Sequence, residues 1–325
     1  MMRFALVGAG RIAQTHLQAI AAVEGAELAA VVDPREAAAR PIAEEHAVPW
    51  FAEHTAAELD TDAVVVCTPP ATHHEIVAHF LARGVPVLCE KPLDLSAVAA
   101  GELFELAERH GAPLMTASKF RYVSDVNRAK AAIAAGSLGR IISYENTFCS
   151  KVDMMDRWNA RPEISGGGVL IDNGTHSVDI ARYLLGPITE VQAVLGTAGQ
   201  QLEVEDSARL HFRTESGVMG FVDLSWSVQK ATASFIDIYG SEGTLQVGWS
   251  SSRQKLDGNP DWVEIGSGYD KLEAFSRQLR NFLDVVAGAA EPLLDTADAL
   301  AAVQVIEAAY ASARRKSWVP VELRR

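Results

Sequence analysis

Residues 3–7, RFALV, form a short apolar run, and Gly8-Ala9-Gly10-Arg11-Ile12-Ala13 follows without a break. Ile12, Ala13, Leu17 and Ile20 then recur at helical spacing. Strand, glycine turn and helix in this order leave few folds open: they make the dinucleotide-binding fingerprint, with Ala13 in its third position. Gly8 permits the tight turn, and Gly10 lets the backbone approach a pyrophosphate. The helix start offers that anion free N–H groups and a positive dipole end. Residues 27–33, ELAAVVD, add a second strand ending in Asp33, 20 residues past Ala13. An acidic side chain there can accept from both hydroxyls of an adenosine ribose.

The alternation continues. Residues 34–46 read as a helix with proline in its first turn, 48–51 as a short strand, and Thr55-x-x-Glu58 as a capping box. Residues 62–68, 85–89 and 113–117 read as buried strands, with helical patterns over 74–83 and 96–110 between them. Repeated strand–helix units with short loops predict a doubly wound parallel sheet covered on both faces. Ligands of such sheets sit beyond the carboxyl ends of the strands, so loops 8–11, 68–72 and 90–92 matter most.

After Phe120 the texture changes. Helical patterns cover 123–135 and the stretch 166–186, and short strands follow at 190–195, 207–212, 218–226, 235–239 and 244–249. Their Ser-Gly and Ser-Glu-Gly turns predict a mainly antiparallel open sheet. Several of these strands carry aromatics, which points to an outer face covered by another subunit in a homodimer or homotetramer. A last helix over 296–313 is expected back against the first domain. The reading is thus an α/β chain: residues 1–119 form a Rossmann domain joined by helix 296–313, and 120–295 a substrate-binding and oligomerisation domain of α+β type.

Charge and cysteine content narrow the partners. With 29 basic and 42 acidic residues the net charge is −13, which argues against nucleic acid or an anionic membrane as the main partner. No apolar stretch approaches the roughly 20 residues of a span. Cys67, Cys89 and Cys149 make no close-spaced motif, which fits a reducing compartment, and we expect a cytoplasmic protein.

Two stretches carry residues suited to chemistry. Cys89-Glu90-Lys91-Pro92 ends a strand where the nicotinamide end of a dinucleotide should lie, with Lys91 ahead of a rigid proline. In GGGVLIDNGTHSVDIARYLLG (166–186), Asp172, His176 and Asp179 fall at offsets of four and three and share one helix face. The three glycines let another surface approach the helix start closely. Hydride loss from a carbinol needs a base for the hydroxyl proton and a cation for the developing alkoxide. Lys91, Asp172 and His176 make a coherent set for that chemistry. Arg121 could hold a substrate hydroxyl or carboxylate or make a surface ion pair, and Trp158 could touch the substrate or pack in the core. His73-His74 and Asp172-x-x-x-His176 have ligand spacing but no apparent third ligand, so no metal is expected.

Taken together, the AGRIA turn, Thr68-Pro69 with His73 and Glu75 after it, Glu90-Lys91-Pro92, and GGG-xxx-DxGxHxxD resemble the Gfo/Idh/MocA family, the glucose–fructose oxidoreductases, inositol dehydrogenases and their relatives. The likeness runs over nearly the whole chain, including FSRQLRNFLDVVAG at 275–288. It implies a Rossmann domain followed by an open, mainly antiparallel domain that makes subunit contacts. It implies NAD or NADP as cofactor, held through Gly8, Gly10, Arg11, Ile12, Asp33, Thr68, Pro69, His73, Glu90 and Lys91. It implies Lys91, Asp172 and His176 as the catalytic set. Asp33-Pro34 matches members that prefer NAD, while Arg35 could receive a 2′-phosphate; Pro70 stands where relatives often carry Asn. The activity expected is hydride transfer between NAD(H) and a sugar, cyclitol or related polyol. Two alternatives share the fold: glycoside hydrolysis through transient NAD redox, and dinucleotide sensing without catalysis.

Overall fold

The structure is a computed structural model describing residues 1–56, 59–197 and 199–322; Glu58, half of the expected capping box, lies outside them. The chain divides into two compact units, Met1–Lys119 with Lys271–Leu300, and Phe120–Asp270 with Ala301–Arg325.

In the first unit, strands and helices alternate as β1 (Met2–Val7), α1 (Ala13–Ala22), β2 (Ala26–Val32), α2 (Glu36–Glu45), β3 (Trp50–Phe51), β4 (Ala63–Val66), α3 (His73–Leu81), β5 (Val87–Glu90), α4 (Ala97–His110) and β6 (Leu114–Ala117). All six strands pair in parallel, in the order β3-β2-β1-β4-β5-β6. That order puts the switch point between β1 and β4, where the glycine turn leaves the sheet. Val64, Val65 and Val66 are fully buried, as a β-branched run covered on both faces must be. Ser96 caps α4 by accepting from Ala99 N–H, and Gly111 ends it in the left-handed region.

The second unit runs α5 (Ser124–Ala134), β7 (Ile141–Cys149), α6 (Pro162–Ser165), α7 (Val169–Leu185), β8 (Ile188–Gly196), β9 (Ser207–Thr214), β10 (Met219–Ser225), β11 (Ser234–Gly240), β12 (Gly243–Gly248), β13 (Ser252–Leu256) and β14 (Val263–Gly266). Two helices follow, α8 (Lys271–Val286) and α9 (Thr296–Arg315), then the short β15 (Val319–Pro320). Nine strands form one sheet in the order β14-β13-β12-β11-β7-β10-β9-β8-β15. Every pairing is antiparallel except β7 with β10. The spacing of apolar residues did not single out β7, the strand at the centre. Its run IISYENTFC mixes polar residues into both faces; Asn146 is buried there and donates from Nδ2 to the Phe235 carbonyl at 2.8 Å.

The division of the chain differs from the expected one at its C-terminal end. Helix α8 belongs to the first unit, where Phe275, Leu279 and Phe282 are buried and the helix lies along α1. Only the first turns of α9 group with that unit, through Leu300 against its core. From Ala301 onward α9 belongs to the second unit rather than packing back on the first. Polar bonds decide this: Ser312 Oγ accepts from Ala193 N–H at 3.0 Å, and the Tyr310 hydroxyl donates to Glu205 at 2.7 Å.

The large sheet also distributes its side chains differently from expectation. Tyr144, Phe148 and Phe212 turn to the buried face with Leu210, Val222 and Leu224. The opposite face carries Glu145, Arg209, His211, Arg213, Phe221 and Asp223 in neighbouring registers. Asp223 is buried under the Arg209 and Lys230 side chains, which both pair with it. Apolar groups on this face are scattered, with Met219 and Val194 the most exposed.

Candidate active site

At the first glycine turn the geometry meets the demands of a dinucleotide. Gly8 has φ +98°, and a Cβ there would lie 2.8 Å from the Cys67 carbonyl carbon, so only glycine fits between β1 and the end of β4. Gly10 faces open space, Arg11 is exposed, and α1 has Ile12 at its N-cap, with no side-chain cap and no acidic residue in its first turn. Its first N–H groups are thus left for an anion. In the adjoining loop the Thr68 hydroxyl is buried without a protein partner, and Pro69 precedes a short 3₁₀ turn over Pro70–Thr72. These residues fit a bound pyrophosphate.

Asp33 is engaged more fully than the sequence implies. Its Oδ2 accepts from Ala9 N–H at 2.8 Å and ties the glycine turn to β2. Arg35 supplies the rest: its backbone N–H and Nε donate to Oδ1 at 2.9 and 3.0 Å, and Nη2 donates to Oδ2 at 2.8 Å. Burial alone would push the carboxyl up, but the bonds from Arg35 and Ala9 hold it below the usual carboxylate range. A ribose reaching Asp33 must therefore displace the Arg35 side chain, which is mostly exposed.

Beyond β5, Glu90 and His73 point inward. Glu90 is buried and meets His16 of α1, with Nε2 to Oε1 at 2.8 Å. His73 is fully buried; its Nδ1 lies 2.9 Å from the Pro92 carbonyl and its Nε2 lies 2.8 Å from the Thr68 carbonyl. Burial pushes its ionisation down. A neutral ring has one N–H, so it donates to one of these two carbonyls at a time, while the ring itself packs between the loops that carry them. Of this group Lys91 is half-buried and follows a buried strand end. The Glu90 and His73 side chains thus brace the loop from inside.

In the second unit α7 is a buried helix with one open face. Thirteen of its seventeen residues are buried; Asp172, Asn173, His176 and the terminal Leu185 are the others. Asp172 and His176 therefore stand one turn apart on a half-exposed strip. Asp179, on the same stripe, is buried and paired with Arg121, Nε to Oδ1 at 2.8 Å. Arg121 also lies over the Tyr183 ring at 4.9 Å and is only 2% exposed, so its guanidinium takes part in an internal pair. Trp158 is 39% exposed, which removes the core-packing reading.

The glycine triplet has an internal purpose. Gly166 takes φ +76°, and a Cβ on Gly168 would overlap the Glu205 carbonyl oxygen. The approaching surface is the 205 loop together with Tyr310 of α9. The Glu205 carboxylate accepts from Gly168 N–H at 2.9 Å and Leu170 N–H at 3.1 Å, capping α7. An aromatic group beside His176 escaped sequence reasoning altogether. Phe120 meets the imidazole edge-on at 5.1 Å and stacks on Phe148 and Tyr269; Trp249 closes the cluster and is 41% exposed. These residues come from four separate segments, so no local spacing could reveal them.

Fold and loops together define an oxidoreductase built on an NAD-binding Rossmann domain. Residues 2–118 match the oxidoreductase family with an NAD-binding Rossmann fold, and residues 126–246 match the GFO/IDH/MocA C-terminal domain. The chain belongs to this GFO/IDH/MocA family. It is 30% identical to the rhizopine catabolism protein MocA of Rhizobium meliloti, over 94% of this chain and 93% of that one. It is 28% identical to an inositol 2-dehydrogenase of Rhizobium meliloti, over 98% and 99%. The solved structure of levoglucosan dehydrogenase with NADH and levoglucosan shares the fold, with a TM-score of 0.91 at 21% identity over 99% and 100%.

Proposed function

We propose that this chain oxidises one carbinol carbon of a sugar, cyclitol or related polyol with NAD. The observation that carries the reading is the half-exposed Asp172–His176 strip on an otherwise buried helix, in a chain whose other half is shaped for a dinucleotide. NAD, when bound at the glycine turn, would supply the acceptor for the hydride. His176 takes the hydroxyl proton as general base, Asp172 orients the imidazole, and Lys91 steadies the oxygen as negative charge grows on it. Phe120, edge-on to the ring, limits the imidazole's rotation. Trp158 is exposed enough to contact the substrate. Gly8, Gly10, Arg11, Ile12, Thr68 and Pro69 shape the cofactor loops, and the related inositol 2-dehydrogenase supports a polyol substrate.

No helix among the described residues is long and apolar enough to cross a membrane, and the three cysteines are free and buried, which supports a cytoplasmic setting. A homodimer or homotetramer is the proposed assembly, in which a second copy would cover Met219 and Val194 on the outer face of the nine-stranded sheet.

The test is NAD reduction against a panel of sugars, cyclitols and sugar acids, repeated with His176→Ala. The expected loss in kcat is roughly 10²–10⁴-fold, the span for a positioned acid–base group. A neutral imidazole accepts a proton and an imidazolium does not, so oxidation should rise with pH in wild type and lose that dependence in the variant. Full turnover by His176→Ala with an unaltered pH profile would remove this residue from the mechanism.

A further inference from the structure

The segment from Glu90 to Asp94 is held at alternate residues by three different histidines. His16 bonds Glu90, His73 reaches the Pro92 carbonyl, and His74 Nδ1 lies 3.2 Å from Asp94 Oδ2. Lys91 sits between the first two of these anchors. The His16 anchor is the most buried pairing of side chains among them, with His16 2% exposed and the Phe275 ring of α8 against its edge at 4.8 Å. A buried histidine–carboxylate pair costs desolvation that an apolar pair would not, so stability alone is a weak reason for it. The carboxylate also makes a second contact, since its Oε2 accepts from Lys91 N–H at 3.3 Å while Oε1 is held by His16. Turning Glu90 therefore moves the residue that follows it.

We propose that His16 is a positioning residue for Lys91, acting through Glu90, while His73 holds the far side of the same segment at Pro92. This rests on the role given to Lys91 above. A side chain that must meet a reacting oxygen needs its backbone fixed to a fraction of an ångström, and a clamp on each flank supplies that.

The experiment uses the full chain with His16→Leu, which removes the donor, and His16→Gln, which keeps an N–H able to reach Glu90. Amide exchange is followed by mass spectrometry in peptides covering 88–96. His16→Leu should exchange there at least tenfold faster, His16→Gln should return to within about threefold of wild type, and peptides of β2 and α5 should not change. Equal exchange in all three proteins overturns the proposal, as does loosening that His16→Gln fails to repair. If His16→Leu loses cooperative unfolding, Glu90→Gln takes its place with the same expectations. Turnover then separates this idea from the one beneath it. With the polyol that wild type oxidises fastest, His16→Leu should lower kcat at least tenfold, and His16→Leu with Lys91→Met should be no slower than Lys91→Met alone. Multiplying losses would mean that His16 acts elsewhere. Full turnover by Lys91→Met would instead sink the role of Lys91, while the exchange data still decide whether His16 holds the segment.

Discussion

At Asp33 and Arg35 two neighbouring residues pull cofactor choice in opposite directions. A bare carboxylate at the end of β2 repels a 2′-phosphate, since like charges about 4 Å apart cost a few kcal/mol at intermediate dielectric. Here Arg35 neutralises that carboxylate by turning its Nε/Nη2 fork onto it, and leaves a mostly exposed cation beside the place of a 2′-phosphate. Removing it by Arg35→Ala should leave Asp33 free for the ribose hydroxyls. The expected outcome is a rise of about tenfold in the preference for NAD over NADP, read from the two dissociation constants by calorimetry. An unchanged ratio would show that Arg35 takes no part in selection. Both residues are plain in the sequence, but the bidentate pairing between them depends on backbone direction after β2.

Helix α7 shows how an element can be legible in outline and misleading in detail. Its helical period and its Asp172–His176 spacing were readable because both are local. The reason for its three glycines was not, because the group that crowds them lies at Glu205, 37 positions further along from Gly168. Gly168→Ala should force a Cβ into the Glu205 carbonyl, and a backbone oxygen cannot swing aside. The expected cost is about 3 kcal/mol, the upper end for overpacking, measured by urea unfolding. A variant as stable as wild type would show that the 205 loop yields. The same distinction applies to Asp179, whose helical spacing groups it with His176. Arg121 reaches it from 58 positions away and makes it a buried anchor.

For the whole molecule, two predictions concern acid and assembly. Glu90 is pushed up by burial but held below the usual carboxylate range by the His16 bond and the charges of His16, Lys91 and Lys119. A carboxyl lowered on folding stabilises the chain above its unfolded pKa, and this contribution disappears as pH falls through the folded value. Asp33 acts in the same sense. Tm should therefore hold at neutral pH and fall once pH drops below about 4.5, near the unfolded carboxylate range, and Glu90→Gln should fall less steeply there; parallel curves would exclude this source. For assembly, light scattering at micromolar concentration should give a dimeric or tetrameric mass, and a monomer would refute the expected sheet-mediated contact.

The parallel nucleotide-binding sheet was written in the chain itself, because its strands are mostly apolar runs, such as the Ala63–Val66 strand, and the ligand loops follow directly from them. The glycine turn after β1 and the one-turn spacing of Asp172 and His176 on α7 were readable because both are local features of the chain. Contacts between distant segments belong to tertiary structure alone. They set β7, a strand with polar residues on both faces, at the centre of the large sheet. They sent α8 to the first unit and most of α9 to the second, since an amphipathic helix records that it has a buried face but not what covers it. They also turned Glu90 and His73 inward: a polar residue near a ligand loop can face the ligand or brace the loop, and only the position of its hydrogen-bond partner decides which.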